Sequence, residues 1–142
     1  MNRPVLFLMV GYPGSGKTTV AQLIHEVTGA KHLWADQERQ KRFEHPVHKP
    51  QQSRKLYSQL NQEVSDMLKD GHSVVYDTNF NFRRDRDRMR TLAQEAQADC
   101  KLIWVQVPRD LAKTRAVEQS AGKPTRLWGN MAEADFSRMA DN

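Results

Sequence analysis

The chain has 142 residues, a formal net charge of +5 at pH 7, 38% hydrophobic residues and a single cysteine, Cys100. These figures fit one globular domain with its own core, and they exclude a disulfide framework and a cysteine-based metal cluster. No apolar run reaches membrane-spanning length, and the apolar stretch near the N-terminus is too short for a signal peptide. We therefore expect one cytoplasmic domain over residues 1–142, without a membrane contact. Its basic charge favours anionic partners.

Short apolar or β-branched runs alternate with longer segments of helical periodicity, which is the pattern of βαβ units around a parallel sheet. The first half predicts a strand at about 4–10, a helix at 17–27 and a weak strand at 32–35. A polar helix that Asp36 caps follows at about 36–44, and an amphipathic helix at 52–69. The second half predicts a strand at about 73–76, an arginine-rich helix at 83–98 and a strand at 102–107. A helix at about 110–120 and a terminal helix from 131 complete the pattern.

A complete phosphate-binding loop pattern follows the first predicted strand, where residues 11–18 read Gly-Tyr-Pro-Gly-Ser-Gly-Lys-Thr. In such a loop backbone N–H groups surround a polyphosphate, Lys17 reaches the β- and γ-phosphates, and the Thr18 hydroxyl binds Mg²⁺. We predict ATP and Mg²⁺ as cofactors and an α/β P-loop NTPase fold, three layers around about four strands. The predicted cofactor contacts are Gly11, Pro13, Gly14, Ser15, Gly16, Lys17, Thr18 and Thr19. The alternative is a glycine turn beside a surface lysine.

Two polar groups follow the second predicted strand, Asp36 and Arg39, and their spacing puts both on one face of a helix start. A carboxylate there can deprotonate a hydroxyl that attacks the γ-phosphate, and an arginine can hold an anionic group of the substrate. The alternatives are a helix cap for Asp36 and a solvated side chain for Arg39.

Asp77 ends the third predicted strand, Val74-Val75-Tyr76-Asp77. In P-loop enzymes an aspartate at the end of a neighbouring strand holds Mg²⁺, directly or through water, so Asp77 is a candidate for this role. A simple turn residue is the alternative. Because carboxyl ends of parallel strands share one edge of the sheet, we expect Asp77, Asp36 and the phosphate loop to meet there.

Two cationic segments remain. The arginines of residues 83–90 alternate with aspartates, so they form either a solvated helix face or a track for a polyanion. Residues 109–126 are predicted to be a mobile basic lid in which Arg115 approaches the transferring phosphoryl group, with an ordinary surface charge as the alternative. The five histidines show no metal-ligand spacing and receive no role.

With these motifs in place, the sequence resembles P-loop kinases of the polynucleotide 5′-hydroxyl kinase and zeta-toxin group over essentially its whole length. The carriers are the phosphate loop, Asp36-x-x-Arg39, and Asp77-Thr78-Asn79 with Asn81 and Arg84 shortly after. The resemblance implies the strand order 2-3-1-4. It also implies that Asp36 is the general base, that Arg39 contacts a substrate phosphate, and that Asp77 supports Arg39. The lid departs from the family pattern of two arginines four residues apart, because Gln119 follows Arg115.

The predicted activity is transfer of the ATP γ-phosphoryl group to a hydroxyl, first of all the 5′-hydroxyl of a nucleic acid. A kinase of a small hydroxylated metabolite or nucleotide sugar is the second interpretation, and a non-kinase ATPase or nucleotide switch is the third. The predicted catalytic residues are Lys17, Asp36, Arg39 and Arg115. The predicted substrate-binding residues are Arg39, Asp77, Asn79 and Arg84, and the predicted Mg²⁺ ligands are Thr18 and Asp77.

Overall fold

A computed structural model describes residues 3–11 and 15–106 of the chain. The strands are β1 (Val5–Val10), β2 (Lys31–Trp34), β3 (Val74–Asp77) and β4 (Asp99–Trp104). The helices are α1 (Lys17–Thr28), α2 (Ala35–Arg42), α3 (Pro50–Lys69) and α4 (Arg83–Glu95). The predicted lid, Arg115 and the two predicted C-terminal helices lie outside the described residues.

All four strands are parallel and form one sheet in the order β2-β3-β1-β4, which confirms the predicted order. The register pairs Leu8 with Tyr76 between β1 and β3, and Trp34 with Asp77 between β2 and β3. Because the strands are parallel, their carboxyl ends meet at one edge. That edge carries the phosphate loop, the start of α2 and the segment after Asp77.

Helices cover both faces of the sheet, because alternate residues of a strand point to opposite sides. Leu6 and Leu8 of β1 belong to a core cluster that includes buried residues of α3 and α4. Met9 belongs to a second, smaller cluster with Ala21 of α1. This arrangement confirms the expected α/β P-loop fold.

The long helix α3 packs on the sheet through one apolar stripe with helical spacing. Its buried members are Leu56, Leu60, Val64 and Leu68. The helix begins at Pro50, two residues before the predicted start, because proline is well tolerated at the first helical position.

The start of α2 differs from prediction in a way that affects the site. Asp36 was predicted to cap this helix, and that prediction is wrong, because Trp34 is the N-cap residue. The chain passes from β2 into α2 without a connecting loop, so Asp36 lies in the first turn. Further along, β4 begins at Asp99, where it already pairs with Val5 of β1, rather than at residue 102.

Candidate active site

The phosphate loop connects β1 to α1, and the structure describes its two ends. Gly16 is the N-cap residue of α1 in the left-handed region, with φ 97°, and Lys17 is the first helical residue. The Lys17 Nζ donates a hydrogen bond to the Gly11 carbonyl oxygen at 3.1 Å. Thr18 and Thr19 occupy the next two helical positions, so their backbone N–H groups belong to the positive end of α1.

Gly11 is required by a close backbone approach. A Cβ atom at this position would lie 2.7 Å from the Ser15 Oγ and 2.7 Å from the Val105 carbonyl oxygen. Ser15 is buried, and its Oγ has no hydrogen-bond partner within the part of the chain that the structure covers. Tyr12, Pro13 and Gly14 lie outside that part, so their predicted contacts remain predictions.

The loop after β3 touches the phosphate loop directly. Asn81 accepts a hydrogen bond at its Oδ1 from the Gly11 backbone N–H at 3.3 Å. Asn79, two residues earlier, has a buried Oδ1 without a partner among residues 3–11 and 15–106. The structure therefore joins the ATP-binding loop to the segment predicted to bind the acceptor.

Asp36 lies at the same edge of the sheet, in the first turn of α2. Burial raises the pKa of its carboxyl above the ordinary value of 3.8; His48, Arg39 and Lys17 oppose this rise, and the charge of Asp77 adds to it. Solvent still reaches 46% of the Asp36 side chain, so the carboxyl is partly desolvated and remains accessible. An accessible carboxylate of raised pKa, close to the phosphate loop, has the properties of a general base.

Arg39 is almost completely buried, with 3% of its surface exposed. One guanidinium nitrogen, Nη1, donates to the Val47 carbonyl oxygen at 2.7 Å and to the Gln52 Oε1 at 3.2 Å. The other, Nη2, donates to the Ser53 Oγ at 2.9 Å. These bonds connect α2 to the following loop and to the first turn of α3. The resemblance implied that Asp77 supports Arg39, and that role stays a prediction. The predicted contact of Arg39 with a substrate phosphate stays a prediction.

Asp77 is also buried, with 3% of its surface exposed, and its partner is a histidine. The Asp77 Oδ2 lies 2.9 Å from the His32 Nε2. His32 in turn stacks beside Trp34, with 8° between the ring planes. The carboxylate is therefore held between β2 and β3, next to Asp36.

Tyr57 joins α3 to this edge of the sheet. Its hydroxyl lies 2.7 Å from the Thr78 Oγ1. Burial raises the pKa of Tyr57, the hydrogen bond with Thr78 opposes this, and the charge of Asp36 raises it further. The tyrosine hydroxyl therefore lies near Asp36 and stays protonated at neutral pH.

The arginines of α4 differ in their partners. Arg83 and Arg90 both pair with Asp87, at 3.6 Å and 2.7 Å. Arg84 is exposed and has no ion pair within the described ranges. The position of Arg84 is compatible with its predicted contact with an acceptor, which no observed contact tests.

The predicted Mg²⁺ ligands fit the way this ion binds in phosphate sites. The described residues hold no group of three or more His, Cys, Asp or Glu side chains that could bind a metal. Mg²⁺ bound with a nucleotide needs only one or two protein groups, since phosphates and waters supply the rest. Thr18 and Asp77 are of the right chemical type. Because His32 holds the Asp77 Oδ2, a contact with the ion falls to the other oxygen or to a bridging water.

The described part of the chain is a P-loop kinase domain. It has four parallel strands in the order β2-β3-β1-β4, a phosphate loop after β1, and carboxylates after β2 and at the end of β3. The chain belongs to the AAA_33 family of AAA domains, whose profile matches residues 6–138. Since a P-loop kinase fold binds a nucleoside triphosphate, ATP binding follows from the family. No curated protein sequence matches the chain significantly.

Several solved structures share the fold. A chain of the Pnkp1/Rnl/Hen1 RNA repair complex matches with a TM-score of 0.80 and 21% identity, over 99% of this chain and 44% of that chain. A gluconokinase from Sinorhizobium meliloti 1021 gives 0.64 at 17% identity, over 99% and 75% of the two chains. The APS kinase CysC from Mycobacterium tuberculosis matches with a TM-score of 0.67 and 19% identity, over 83% of this chain and 71% of that chain. The chain spans less than half of the repair-complex chain, and at these identities the likeness establishes the fold alone.

Sequence reasoning missed the partners of the predicted residues. His32 was given no role, although it contacts Asp77, and Tyr57, Gln52 and His48 were not singled out. The alternation of polar and apolar residues in β2 offered a weak signal, because His32 and Trp34 share one side of that strand. The strand register that brings His32 to Asp77 was not visible without the structure.

Proposed function

We propose that this protein is an ATP-dependent kinase that transfers the γ-phosphoryl group to a hydroxyl, with the 5′-hydroxyl of a nucleic acid as the preferred acceptor. One observation carries the reaction type: Asp36, a carboxyl of raised pKa, lies at the sheet edge where the phosphate loop ends. A nucleotide switch needs no such base.

The reaction is an in-line displacement at the γ-phosphorus. The acceptor oxygen forms a bond to phosphorus, the bond from phosphorus to the β,γ-bridging oxygen breaks, and ADP leaves. Asp36 takes the proton of the acceptor hydroxyl. Lys17 stabilises negative charge on the phosphates, as does Mg²⁺ when bound, with Thr18 and Asp77 as its protein ligands.

The remaining predicted residues act around this centre. Arg39 belongs to the acceptor side, where its guanidinium holds the loop between α2 and α3. Asn79, in the loop after β3, and Arg84, in the first turn of α4, are proposed to contact a longer acceptor. Arg115 is proposed to close over the phosphates from the lid at residues 109–126.

Three features support a nucleic acid acceptor. The net charge is +5, the first turn of α4 exposes Arg84, and one structural neighbour is part of an RNA repair complex. The gluconokinase and APS kinase neighbours support the second candidate, a small hydroxylated acceptor.

The test is incubation with γ-labelled ATP and Mg²⁺ in the presence of 5′-hydroxyl DNA, 5′-hydroxyl RNA, gluconate and simple nucleosides. We expect label on an oligonucleotide 5′ end. Label on a small alcohol alone would select the second candidate. Label in free phosphate alone, whatever acceptor is offered, would refute both kinase proposals.

The variant Asp36→Asn tests the assigned base. We expect it to lower kcat by about 10²- to 10⁴-fold, which is the usual contribution of a general base. Glu38→Gln is the matched control, because it makes the same charge change on the same helix at a residue that pairs with Arg42. An Asp36→Asn enzyme with normal kcat would remove Asp36 from the mechanism.

A further inference from the structure

The loop between α2 and α3, residues 43–49, is held by two side chains. Arg39 donates to the Val47 carbonyl oxygen at 2.7 Å. Gln52 accepts a hydrogen bond from the Val47 backbone N–H at 2.9 Å and donates to the His45 carbonyl oxygen at 3.2 Å. Arg39 and Gln52 also bond to each other at 3.2 Å, so the loop is tied to α2 and α3 at the same point.

This loop ends beside the candidate base. The His48 Nε2 lies 3.9 Å from the Asp36 Oδ1, and about half of each side chain is exposed. An acceptor hydroxyl that reaches Asp36 must therefore pass close to His48. The loop forms one wall of the space in front of the carboxylate.

We propose that residues 43–49 form the acceptor-selecting wall of the site, in which His48 contacts the acceptor next to its reacting hydroxyl and Gln52 is a positioning residue that, with Arg39, fixes the loop. This inference rests on the proposed kinase function and deepens it. Arg39 influences the acceptor through the loop, because its Nη atoms are bonded to Val47, Gln52 and Ser53 and only 3% of the residue is exposed.

The molecule contains a matched control for this arrangement. Arg42 also joins α2 to α3, by a hydrogen bond to the Gln59 Oε1 at 3.2 Å and an ion pair with Glu63 at 2.6 Å. This second arginine and glutamine make a similar connection between the helices, but none of their hydrogen bonds goes to the 43–49 loop. Effects that come only from loosening α2 against α3 should therefore be the same at Gln59 as at Gln52.

The experiment compares Gln52→Leu with Gln59→Leu, using a 5′-hydroxyl RNA oligonucleotide as acceptor. Gln52→Leu removes both Gln52 hydrogen bonds to the loop and leaves the Arg39 bond to Val47, and we expect the KM for the oligonucleotide to rise about tenfold. We expect the KM for ATP to stay within about twofold of its normal value. Gln59→Leu should leave both KM values within about twofold.

His48→Ala and Gln52→Glu complete the set. His48→Ala should raise the acceptor KM as Gln52→Leu does, and the double variant should add little, because both changes remove the same contact. Gln52→Glu keeps oxygens for the Val47 N–H and for Arg39 but loses the donor to the His45 carbonyl oxygen, so its acceptor KM should lie between those of the unmodified protein and Gln52→Leu. If Gln52→Leu does not fold, His48→Ala and Gln52→Glu still decide the question.

Two results would overturn the proposal. One is a normal acceptor KM in both Gln52→Leu and His48→Ala, and the other is an equal rise in the KM values for acceptor and ATP. Asp36→Asn separates the two hypotheses. If Asp36→Asn is inactive while the loop variants behave normally, only the acceptor wall is wrong; if Asp36→Asn retains full transfer, the proposed function fails.

Discussion

The contact between His32 and Asp77 predicts a large loss of stability when the imidazole is removed. Asp77 is 3% exposed and the His32 side chain is 15% exposed, so His32→Phe leaves a buried carboxylate without the partner that lies at 2.9 Å. Leaving a buried hydrogen-bonding group without its partner costs about 1–3 kcal/mol, and more when that group is charged, so we expect a loss of about 2–4 kcal/mol. For a chain of this length, that free energy corresponds to a decrease in Tm of roughly 6–15 °C.

The assay is thermal unfolding followed by circular dichroism, together with urea denaturation. Phenylalanine keeps a ring beside Trp34, so the stacking contact survives and the hydrogen bond is the main loss. His25→Phe is the control, because its Nδ1 also forms a hydrogen bond, to the Ala30 carbonyl oxygen at 2.7 Å, but its side chain is exposed on α1. We expect that control to cost less than about 1 kcal/mol. A His32→Phe protein that unfolds within about 2 °C of the unmodified protein would show that Asp77 does not depend on the imidazole.

Three other predictions concern ionisation, packing and charge. Because the pKa of Asp36 is raised, phosphoryl transfer should be lost on the acid side at a higher pH than with an ordinary aspartate as base. Asp36→Asn should raise the Tm at pH 7. This gain should vanish as the pH falls below 3.8, where the carboxyl is protonated in both the folded and the unfolded state. Gly11→Ala brings a Cβ to 2.7 Å from a backbone oxygen, so it should weaken ATP binding and lower the stability of the fold by about 1–3 kcal/mol. Gly29→Ala is the control, because Gly29 has φ 78° but open space around it. This control should cost about 1–2 kcal/mol of stability and leave the affinity for ATP unchanged. Arg84→Gln should reduce the slope of log K for oligonucleotide binding against log salt concentration by about one. Arg90→Gln should change this slope less, because Arg90 already pairs with Asp87. The pH profile of kcat and unfolding across the pH range check the first prediction. Equilibrium binding with a fluorescent nucleotide and a labelled oligonucleotide, together with thermal unfolding of the glycine variants, checks the other two.

The sequence predicted the features that depend on local pattern. Alternating apolar runs and amphipathic segments identified all four strands and the four described helices, because burial of one face imposes a period on the residues. The strand order followed from the family resemblance. The convergence of Asp36, Asp77 and the phosphate loop followed from the rule that parallel strands end at one edge.

The partners of these residues were not predictable, because they depend on register and helix placement. His32 and Asp77 are separated by 45 positions in the chain and meet only because β2 pairs with β3 through Trp34 and Asp77. In the same way, Arg39 finds its hydrogen-bond acceptors in the loop and the first turn of a later helix. The polar pattern therefore indicates where the candidate site lies, while the contacts within it depend on how the strands and helices pack.

Asp36 shows why a two-residue difference in a helix start matters for chemistry. A capping aspartate accepts backbone N–H hydrogen bonds, which stabilise the carboxylate, lower its pKa and make it a weak base. Here Trp34 occupies the cap, and Asp36 lies in the first turn, where the charge of Asp77 acts on it. Burial and the neighbouring charge then raise its pKa towards the working pH, which increases its power to take a proton. The same placement reduces the stability of the folded protein at neutral pH, so the stabilising effect of Asp36→Asn and its loss of transfer should be found in one variant.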